Sequence, residues 1–163
     1  MRQARYLLAL GSNMRHAALG SPREVVATAI AALAEIGPVT ARSRIIESAP
    51  LGPSLRRYAN AAALVESELE PAHMLALLKR IERRFGRRRG QRWSARVLDL
   101  DIVLWSGGAW SSPELSVPHR EFRRRSFVLG PAAQIAGDWR DPLSGLSLRQ
   151  LNARLTKPSP LPR

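Results

Sequence analysis

Two carboxylates inside an otherwise apolar, β-rich run are the residues of this chain most suited to chemistry. Asp99 and Asp101 lie in the run 97–105, and arginines precede them. Because side chains alternate across a strand, both carboxylates are predicted to project from one face. The apolar residues around them are predicted on the opposite, core-facing side: Leu98, Leu100, Ile102 and Leu104. Carboxylates at i and i+2 suit Mg²⁺, which takes one or two protein carboxylates and completes its octahedron with water and substrate phosphates.

A structural role for the pair stays open when the strand is considered alone. Paired acids on an exposed strand face also form ion pairs with neighbouring arginines, and such networks imitate functional sites. Arginines fall into two clusters that flank the acids in sequence, and guanidinium groups suit phosphates. The clusters are Arg83, Arg84, Arg87, Arg88, Arg89, Arg92 and Arg96, and then Arg120, Arg123, Arg124 and Arg125.

Composition limits the classes of protein that the chain fits. Its 163 residues, 45% of them hydrophobic, predict one domain with a core over residues 1–155. The absence of cysteine excludes disulfide frameworks, thiolate metal sites and cysteine nucleophiles. The net charge of +13 predicts an anionic partner. The apolar stretch 6–10 is too short for a signal peptide or a membrane span, so a cytoplasmic location is expected.

Local patterns predict the elements that position the acids. A first strand over 5–10 ends in Gly11-Ser12-Asn13, which suits a tight turn and backbone contact with a ligand. Ser21-Pro22-Arg23-Glu24 is a capping box, and it opens a helix predicted to end at Ile36. The remaining predicted elements are strands at 39–48 and 58–68, a helix at 71–85, the acid-bearing strand, and short helices at 127–135 and 146–155.

The order of these elements predicts the fold. A β-α-β-β-α-β succession without internal repeats indicates an α+β, ferredoxin-like antiparallel β-sheet with helices packed on one face. The tail 156–163 is rich in proline and lacks apolar periodicity. It is therefore predicted to be extended or disordered.

Five separate stretches resemble one enzyme family in their order and spacing. They are Ala9-Leu10-Gly11-Ser12-Asn13; Pro50-Leu51-Gly52-Pro53 with Tyr58-Ala59-Asn60-Ala61; Gly86-Arg87-Arg88-Arg89; Arg92-Trp93 to Arg96 with Asp99-Leu100-Asp101; and Pro118-His119 to Arg125-Ser126-Phe127. Over about residues 5–150 the chain resembles the 6-hydroxymethyl-7,8-dihydropterin pyrophosphokinases of folate biosynthesis. It departs from the family's pattern at Ala49-Pro50, Ser94-Ala95 and Arg120.

The resemblance implies a reaction and its cofactor. A pyrophosphoryl group would pass from ATP to the hydroxymethyl oxygen of 6-hydroxymethyl-7,8-dihydropterin, with release of AMP. Asp99 and Asp101 would hold two Mg²⁺ ions in a two-metal arrangement. Arg87 and Arg96 would contact the transferring phosphates, with Arg87 on a loop that closes over the substrates.

The resemblance also implies two sets of binding residues. Positions that match the family's ATP contacts are Glu82, Arg89, Trp93, Arg96, Ile102, His119 and Arg125. Tyr58 and Phe127 match an aromatic pair that stacks on the pterin, and Asn60 matches a residue at its pyrimidine edge. Backbone groups near Ser48, Ala49 and Leu51 would complete the pterin site.

Two other functions stay open at this stage. A metal-dependent nucleotidyltransferase also joins a Gly-Ser turn to an Asp-x-Asp strand, but there the turn closely precedes the acids, whereas Gly11-Ser12 is far from Asp99. A ferredoxin-like RNA-binding module needs exposed aromatics on its central strands, and the run 97–104 carries aspartates instead. We therefore expect small-molecule substrates, no nucleic-acid partner, no membrane, and a monomer.

Overall fold

The computed structural model describes residues 3–48, 57–86 and 97–158. Its centre is a pair of long antiparallel strands, β1 (Ala4–Ser12) and β4 (Tyr58–Ser67). Most residues of both strands are buried, because helices cover the sheet on both faces. Strands covered on both sides become near-continuous apolar runs rather than alternating ones.

The sheet has the predicted ferredoxin-like order. Strand β5 (Asp99–Trp105) pairs with the free side of β1, while β2 (Val39–Arg42) and β3 (Ile46–Ser48) pair with the free side of β4. All of these pairings are antiparallel, and the strand order is β2-β4-β1-β5. The predicted strand 39–48 is thus two short strands that pair with successive parts of β4. The α+β class is confirmed.

Helices cover both faces of the sheet rather than the one face that was predicted. Helix α1 (Pro22–Ala32), capped by Ser21, continues as a 3₁₀ turn Leu33–Glu35 and packs with α2 (Pro71–Phe85) on one side. Helices α3 (Ser126–Ala136) and α4 (Leu148–Thr156) pack on the other side. The element order did not reveal this second layer because α3 and α4 follow the β-α-β-β-α-β unit. None of the helices within the described ranges is long and apolar enough to cross a membrane.

A bulge in β5 corrects one sequence expectation. Leu8 pairs with Ile102 and Leu7 with Leu104, so Val103 is the extra residue of the pairing. Such an extra residue reverses the alternation of the side chains that follow it. Leu98, Leu100 and Ile102 therefore join the core beneath α1 and α2, as predicted, but Leu104 lies in the core beneath α3 and α4.

The chain beyond β5 forms the rim of the sheet. A hairpin of β6 (Trp110–Ser112) and β7 (Leu115–Val117) precedes an irregular segment that leads into α3. The backbone N–H of His119 donates to the carbonyl of Val103 at 3.0 Å, which ties this segment to β5. At the C-terminal end α4 reaches Thr156, and residues 159–163 of the predicted tail lie outside the described residues.

A buried ion pair joins the segment before α3 to the loop before α4. Arg123 donates two hydrogen bonds to Asp141, at 2.6 and 2.8 Å, and the Asp141 side chain is fully buried. Burial by itself would raise the pKa of Asp141. The hydrogen bonds from Arg123, Ser144 and the Leu143 N–H outweigh it and lower the pKa to about 2. The carboxylate is thus more stable ionised in the folded chain than in the unfolded one.

We expect this carboxylate to contribute to acid sensitivity of the fold. Because the folded pKa is below the usual 3.8, the stabilisation is complete above about pH 4 and is lost as the pH falls towards 2. Urea unfolding at pH 6 and pH 3 should show that the stability advantage of the wild type over Asp141→Asn shrinks by about 1 kcal/mol on acidification. A difference that does not change with pH would contradict this prediction.

Candidate active site

Strand register brings three polar or small residues of different strands into one row. Gly11 of β1 pairs with Asn60 of β4 on one side and with Asp99 of β5 on the other. Adjacent strands are about 4.8 Å apart, so Asn60 and Asp99 stand roughly 10 Å from each other across Gly11. All three face the layer of α3 and α4, because the alternation of their strands places Ala62 and Ala9 in that core.

Small side chains in the next row leave space above the sheet. Ala9 pairs with both Ala62 and Asp101, so the second carboxylate lies beside two alanines. Beyond them, Leu7, Leu64 and Leu104 form a fully apolar row. The sheet surface therefore changes from a dry core to an open, polar floor within two rows.

Gly11 leaves room for the side chain of Asn60 beside it. A Cβ at this position would lie 3.0 Å from Oδ1 of Asn60, which is tighter than ordinary van der Waals contact. Asn60 is itself 7% exposed, so its amide has little room to move away. The glycine thus sets the position of the amide over the floor.

The two carboxylates keep access to solvent, and one backbone contact fixes the strand between them. Asp99 is exposed and Asp101 is half-buried. Glu82 of α2 accepts a hydrogen bond from the N–H of Leu100 at 2.8 Å, which holds the end of α2 to β5 at the acids. Two accessible carboxylates on one strand face are the donor set that Mg²⁺ prefers. Among the described residues no group of three or more histidine or acidic side chains forms a metal site, so the fit rests on this pair.

His119 lines both clefts together with Asp101. Its Nδ1 accepts a hydrogen bond from the N–H of Glu121 at 3.1 Å. In the neutral ring the proton is therefore on Nε2, which is left to donate to a ligand. Together with the backbone bond to Val103, this contact fixes both the place and the tautomer of the ring.

The start of α3 supplies an aromatic and a cationic side chain. Phe127 is 40% exposed although it is large and apolar, and Tyr58 at the start of β4 is 37% exposed. The Arg125 guanidinium lies 5.8 Å from the centre of the Phe127 ring. Exposed aromatic rings at a cleft are typical of binding sites for flat ligands.

These residues surround two clefts that meet at Asp101 and His119. The first, about 560 Å³, includes the four described residues predicted to bind pterin, namely Ser48, Tyr58, Asn60 and Phe127, together with Asp99, Asp101, His119 and Arg125. The second, about 460 Å³, is bounded by α2, β5 and the β6–β7 hairpin. It includes Glu82, Ile102 and His119 of the predicted ATP set. Asp101 and His119 line both clefts.

Not all of the predicted site residues lie where the sequence placed them. Arg125, predicted to bind ATP, lines the first cleft and not the second. The Ile102 side chain is 2% exposed and belongs to the core beneath α1 and α2. The following predicted site residues lie outside the described residues: Ala49, Leu51, Arg87, Arg89, Trp93 and Arg96.

Several residues of the second cleft were not found by sequence reasoning. They come from the exposed side of α2, from the hairpin and from the segment after the hairpin: Lys79, Ser112, Glu114, Ser116 and Glu121. None belongs to a motif, and only the pairing of β6 with β7 brings the hairpin residues to this rim. Arg120, noted as a departure from the family's pattern, also lines this cleft, and its Nε donates to Oγ of Ser116 at 3.3 Å.

Sequence comparison gives consistent relatives. The family model for 7,8-dihydro-6-hydroxymethylpterin-pyrophosphokinase matches residues 7–137. A Haemophilus influenzae protein named 2-amino-4-hydroxy-6-hydroxymethyldihydropteridine pyrophosphokinase is 38% identical over 134 residues, covering 80% of this chain and 81% of its own length. The protein of that name from Pseudomonas aeruginosa is 39% identical over 141 residues, 85% of this chain and 84% of its own length. That from Methylorubrum extorquens is 36% identical over 154 residues, 93% of each.

Comparison of structures supports the same fold. The crystal structure of wild-type Plasmodium falciparum HPPK-DHPS with pteroate matches 94% of this chain with a TM-score of 0.71 and 12% sequence identity. The match covers 44% of that chain, so the present chain spans less than half of its length. At this identity the likeness concerns the fold alone.

Proposed function

Because the chain belongs to the 7,8-dihydro-6-hydroxymethylpterin-pyrophosphokinase family, we propose that it transfers a pyrophosphoryl group from ATP to 6-hydroxymethyl-7,8-dihydropterin. The hydroxymethyl oxygen attacks the β-phosphorus, the bond from that phosphorus to the α,β-bridging oxygen breaks, and AMP leaves. The product, a pterin diphosphate, is an intermediate on the route to tetrahydrofolate. This makes the chain a transferase that acts on two small molecules, and we expect it to act as a cytoplasmic monomer.

The observation that supports this proposal best is the junction of two clefts at Asp101 and His119. A transfer between two substrates needs both reacting groups held close together, and such positioning supplies a large part of catalysis. Separate clefts that share a wall allow each substrate to be recognised by its own residues. The groups at the shared wall then act on the atoms that react.

The first cleft suits the pterin. A flat heteroaromatic ring fits between Tyr58 and Phe127, where offset stacking adds about 0.5–1.5 kcal/mol beyond burial. The Asn60 amide offers a donor and an acceptor to the pyrimidine edge. The small floor of Gly11, Ala9 and Ala62 leaves room for the ring above the sheet. The hydroxymethyl group would then point towards Asp99 and Asp101.

The second cleft suits the nucleotide. Its lining combines the apolar Leu75 and Leu115 with cationic Lys79 and Arg120, which fit a base or ribose and a phosphate respectively. Nε2 of His119 donates towards the phosphate chain where the clefts meet. Arg125, on the pterin side of that junction, would contact the far end of the triphosphate. Arg87 and Arg96 remain predicted phosphate contacts.

Asp99 and Asp101 would hold the Mg²⁺ ions. The ions would supply electrostatic stabilisation of the phosphate oxygens and of the charge that develops on the departing AMP. The carboxylates themselves contribute hard oxygen ligands on a strand that Glu82 fixes from α2. A strand-borne site is held more rigidly than one on loops.

A product assay tests the proposed function. The purified protein is incubated with Mg-ATP, with and without 6-hydroxymethyl-7,8-dihydropterin, and the nucleotides are separated by chromatography. AMP that forms only with the pterin is the expected result. Release of pyrophosphate would instead indicate nucleotidyl transfer, and ADP would indicate an ordinary kinase. RNA binding that persists in Asp99→Ala without any turnover would favour the RNA-binding alternative.

A Gly11→Ala substitution should weaken pterin binding selectively. The added methyl lies 3.0 Å from Oδ1 of Asn60 and displaces the amide from the pyrimidine edge. We expect the KM for pterin to rise several-fold and the KM for ATP to change little. Gly130→Ala is the matched control, because a Cβ there meets nothing within 4 Å, and a helical alanine is favoured over glycine by up to about 1 kcal/mol. Equal kinetics for the two variants would contradict the assigned role of Gly11.

A further inference from the structure

One irregular segment carries three of the site's side chains. His119 and Arg125 lie between the β6–β7 hairpin and α3, over a span that contains only the short 3₁₀ turn Phe122–Arg124, and Phe127 follows directly in the first turn of α3. Its own backbone bonds are few: the N–H of Arg124 donates to Glu121, and that of Arg125 to Phe122 at 3.3 Å. A segment with so little regular bonding depends on its side-chain anchors for its position.

Two such anchors lie in the middle of the segment. Phe122 is fully buried in the core beneath α3 and α4. The Arg123 guanidinium stacks over its ring, with Cζ 4.6 Å from the ring centre, and binds Asp141 through Nε and Nη2. Arg123 is therefore committed to an internal contact, although its sequence neighbours Arg120 and Arg125 line the clefts.

The partner of Arg123 is itself held rigidly. Asp141 is 0% exposed, and its two oxygens accept four hydrogen bonds: two from Arg123, one from the Leu143 N–H at 3.0 Å and one from Ser144 at 2.7 Å. Its backbone also closes the tight loop that precedes α4, because its N–H donates to the Leu146 carbonyl and its carbonyl accepts from the Gly145 N–H, both at 2.8 Å. A bidentate pair between fixed groups transmits position as well as charge.

We propose that Asp141 is a positioning residue for the active site, acting through Arg123 to hold Arg125 and Phe127 at the pterin cleft. The expected effect on kinetics rests on the proposed function. The expected effect on the position of Arg125 and Phe127 does not depend on the reaction. Arg125 is two residues and Phe127 four residues from the anchored guanidinium. A shift of Arg123 therefore moves the start of α3, which carries the exposed aromatic ring.

The test compares Asp141→Asn with a control of similar stability. Asp141→Asn keeps the size of the side chain but removes the charge and one acceptor from Arg123. Val26→Ala, in the fully buried part of α1 on the opposite face of the sheet, lowers stability without contact to the segment. Both are assayed well below their melting temperatures. We expect kcat/KM for pterin to fall about tenfold in Asp141→Asn, since a misplacement of 1 Å can cost up to 10²-fold, and to be unchanged in Val26→Ala.

Hydrogen exchange gives a readout that does not require activity. The amides of Arg125, Val128 and Leu129 report the start of α3, where Val128 and Leu129 both donate to the Arg125 carbonyl. We expect these amides to exchange faster in Asp141→Asn than in Val26→Ala, when each rate is normalised to the other amides of the same variant. Equal exchange overturns the positioning role. If the wild type itself forms no AMP, the proposed function fails, and the exchange result still decides the geometric part.

Two milder variants keep the test decisive if Asp141→Asn does not fold. Ser144→Ala removes one hydrogen bond from Asp141 and leaves the ion pair with Arg123. Arg123→Lys keeps the positive charge but loses the bidentate hydrogen bond to Asp141. Both variants should have a higher KM for pterin and faster hydrogen exchange at the Arg125 amide than the wild type. The effect of Arg123→Lys should be the larger of the two. Wild-type kinetics and exchange in folded Arg123→Lys would show that the pair only stabilises the protein.

Discussion

An Asp101→Asn variant is expected to fold normally and to lose pterin-dependent AMP formation by roughly 10²- to 10³-fold or more. The substitution keeps the shape of the side chain but removes a charge from the point where the two clefts meet. Loss of one preorganised electrostatic group in an active site commonly costs this much in kcat, and here the carboxylate also serves as a ligand for Mg²⁺. Because Asp101 is half-exposed, its contribution to stability is small.

The control for this variant is Asp138→Asn. Asp138 forms an exposed ion pair with Arg149 at 2.6 Å, so its substitution removes the same charge from the surface between α3 and α4. Its turnover should equal that of the wild type. Titration of both variants with Mg²⁺ separates the possible causes: a rate restored at high Mg²⁺ indicates weakened metal binding. Undiminished turnover of Asp101→Asn at all Mg²⁺ concentrations would disprove the role of this carboxylate.

An Asn60→Ala variant is expected to raise the KM for pterin by about 10- to 100-fold, with a much smaller effect on ATP. Asn60 is nearly buried at the floor of the first cleft, where it lies in one row with Gly11 and Asp99. Removing the amide leaves the polar edge of the bound pterin without partners at a nearly buried position. An unpaired buried polar group costs about 1–3 kcal/mol, which corresponds to this range of binding constants.

Two further variants define what the amide does. Asn60→Asp has the same shape but replaces the NH₂ donor with an acceptor, so its KM for pterin should rise at least as much as that of the alanine variant. Asn152→Ala on α4 is the control for loss of an asparagine outside both clefts. Isothermal titration with pterin, in the presence of a non-hydrolysable ATP analogue, checks the change in affinity independently of turnover. A raised KM for ATP with an unchanged KM for pterin would show that Asn60 acts on ATP and would contradict its assignment to pterin.

The sequence determined those features whose cause is local. Ser21 caps α1, Gly86 ends α2, and the alternation from Leu98 to Ile102 places Asp99 and Asp101 on one strand face. Such signals depend on neighbours within a few residues, so they are readable without the fold. The order of the elements then fixed the class and strand order, because few arrangements of β-α-β-β-α-β bury both helices. The motif series also identified the family correctly.

Tertiary structure decided what depends on contacts between distant residues. The bulge at Val103 moved Leu104 to the other core, and α3 and α4 cover a face that the sequence left open. Arg123 and Arg125 are alike in sequence, yet one is bound to Asp141, 18 positions away, while the other reaches a cleft. Local chemistry can propose that an arginine meets a phosphate. Whether an arginine contacts a phosphate depends on which partner the folded chain brings within about 3 Å of it. A buried charge must be paired, so an arginine that packs against a buried carboxylate is no longer available to a ligand.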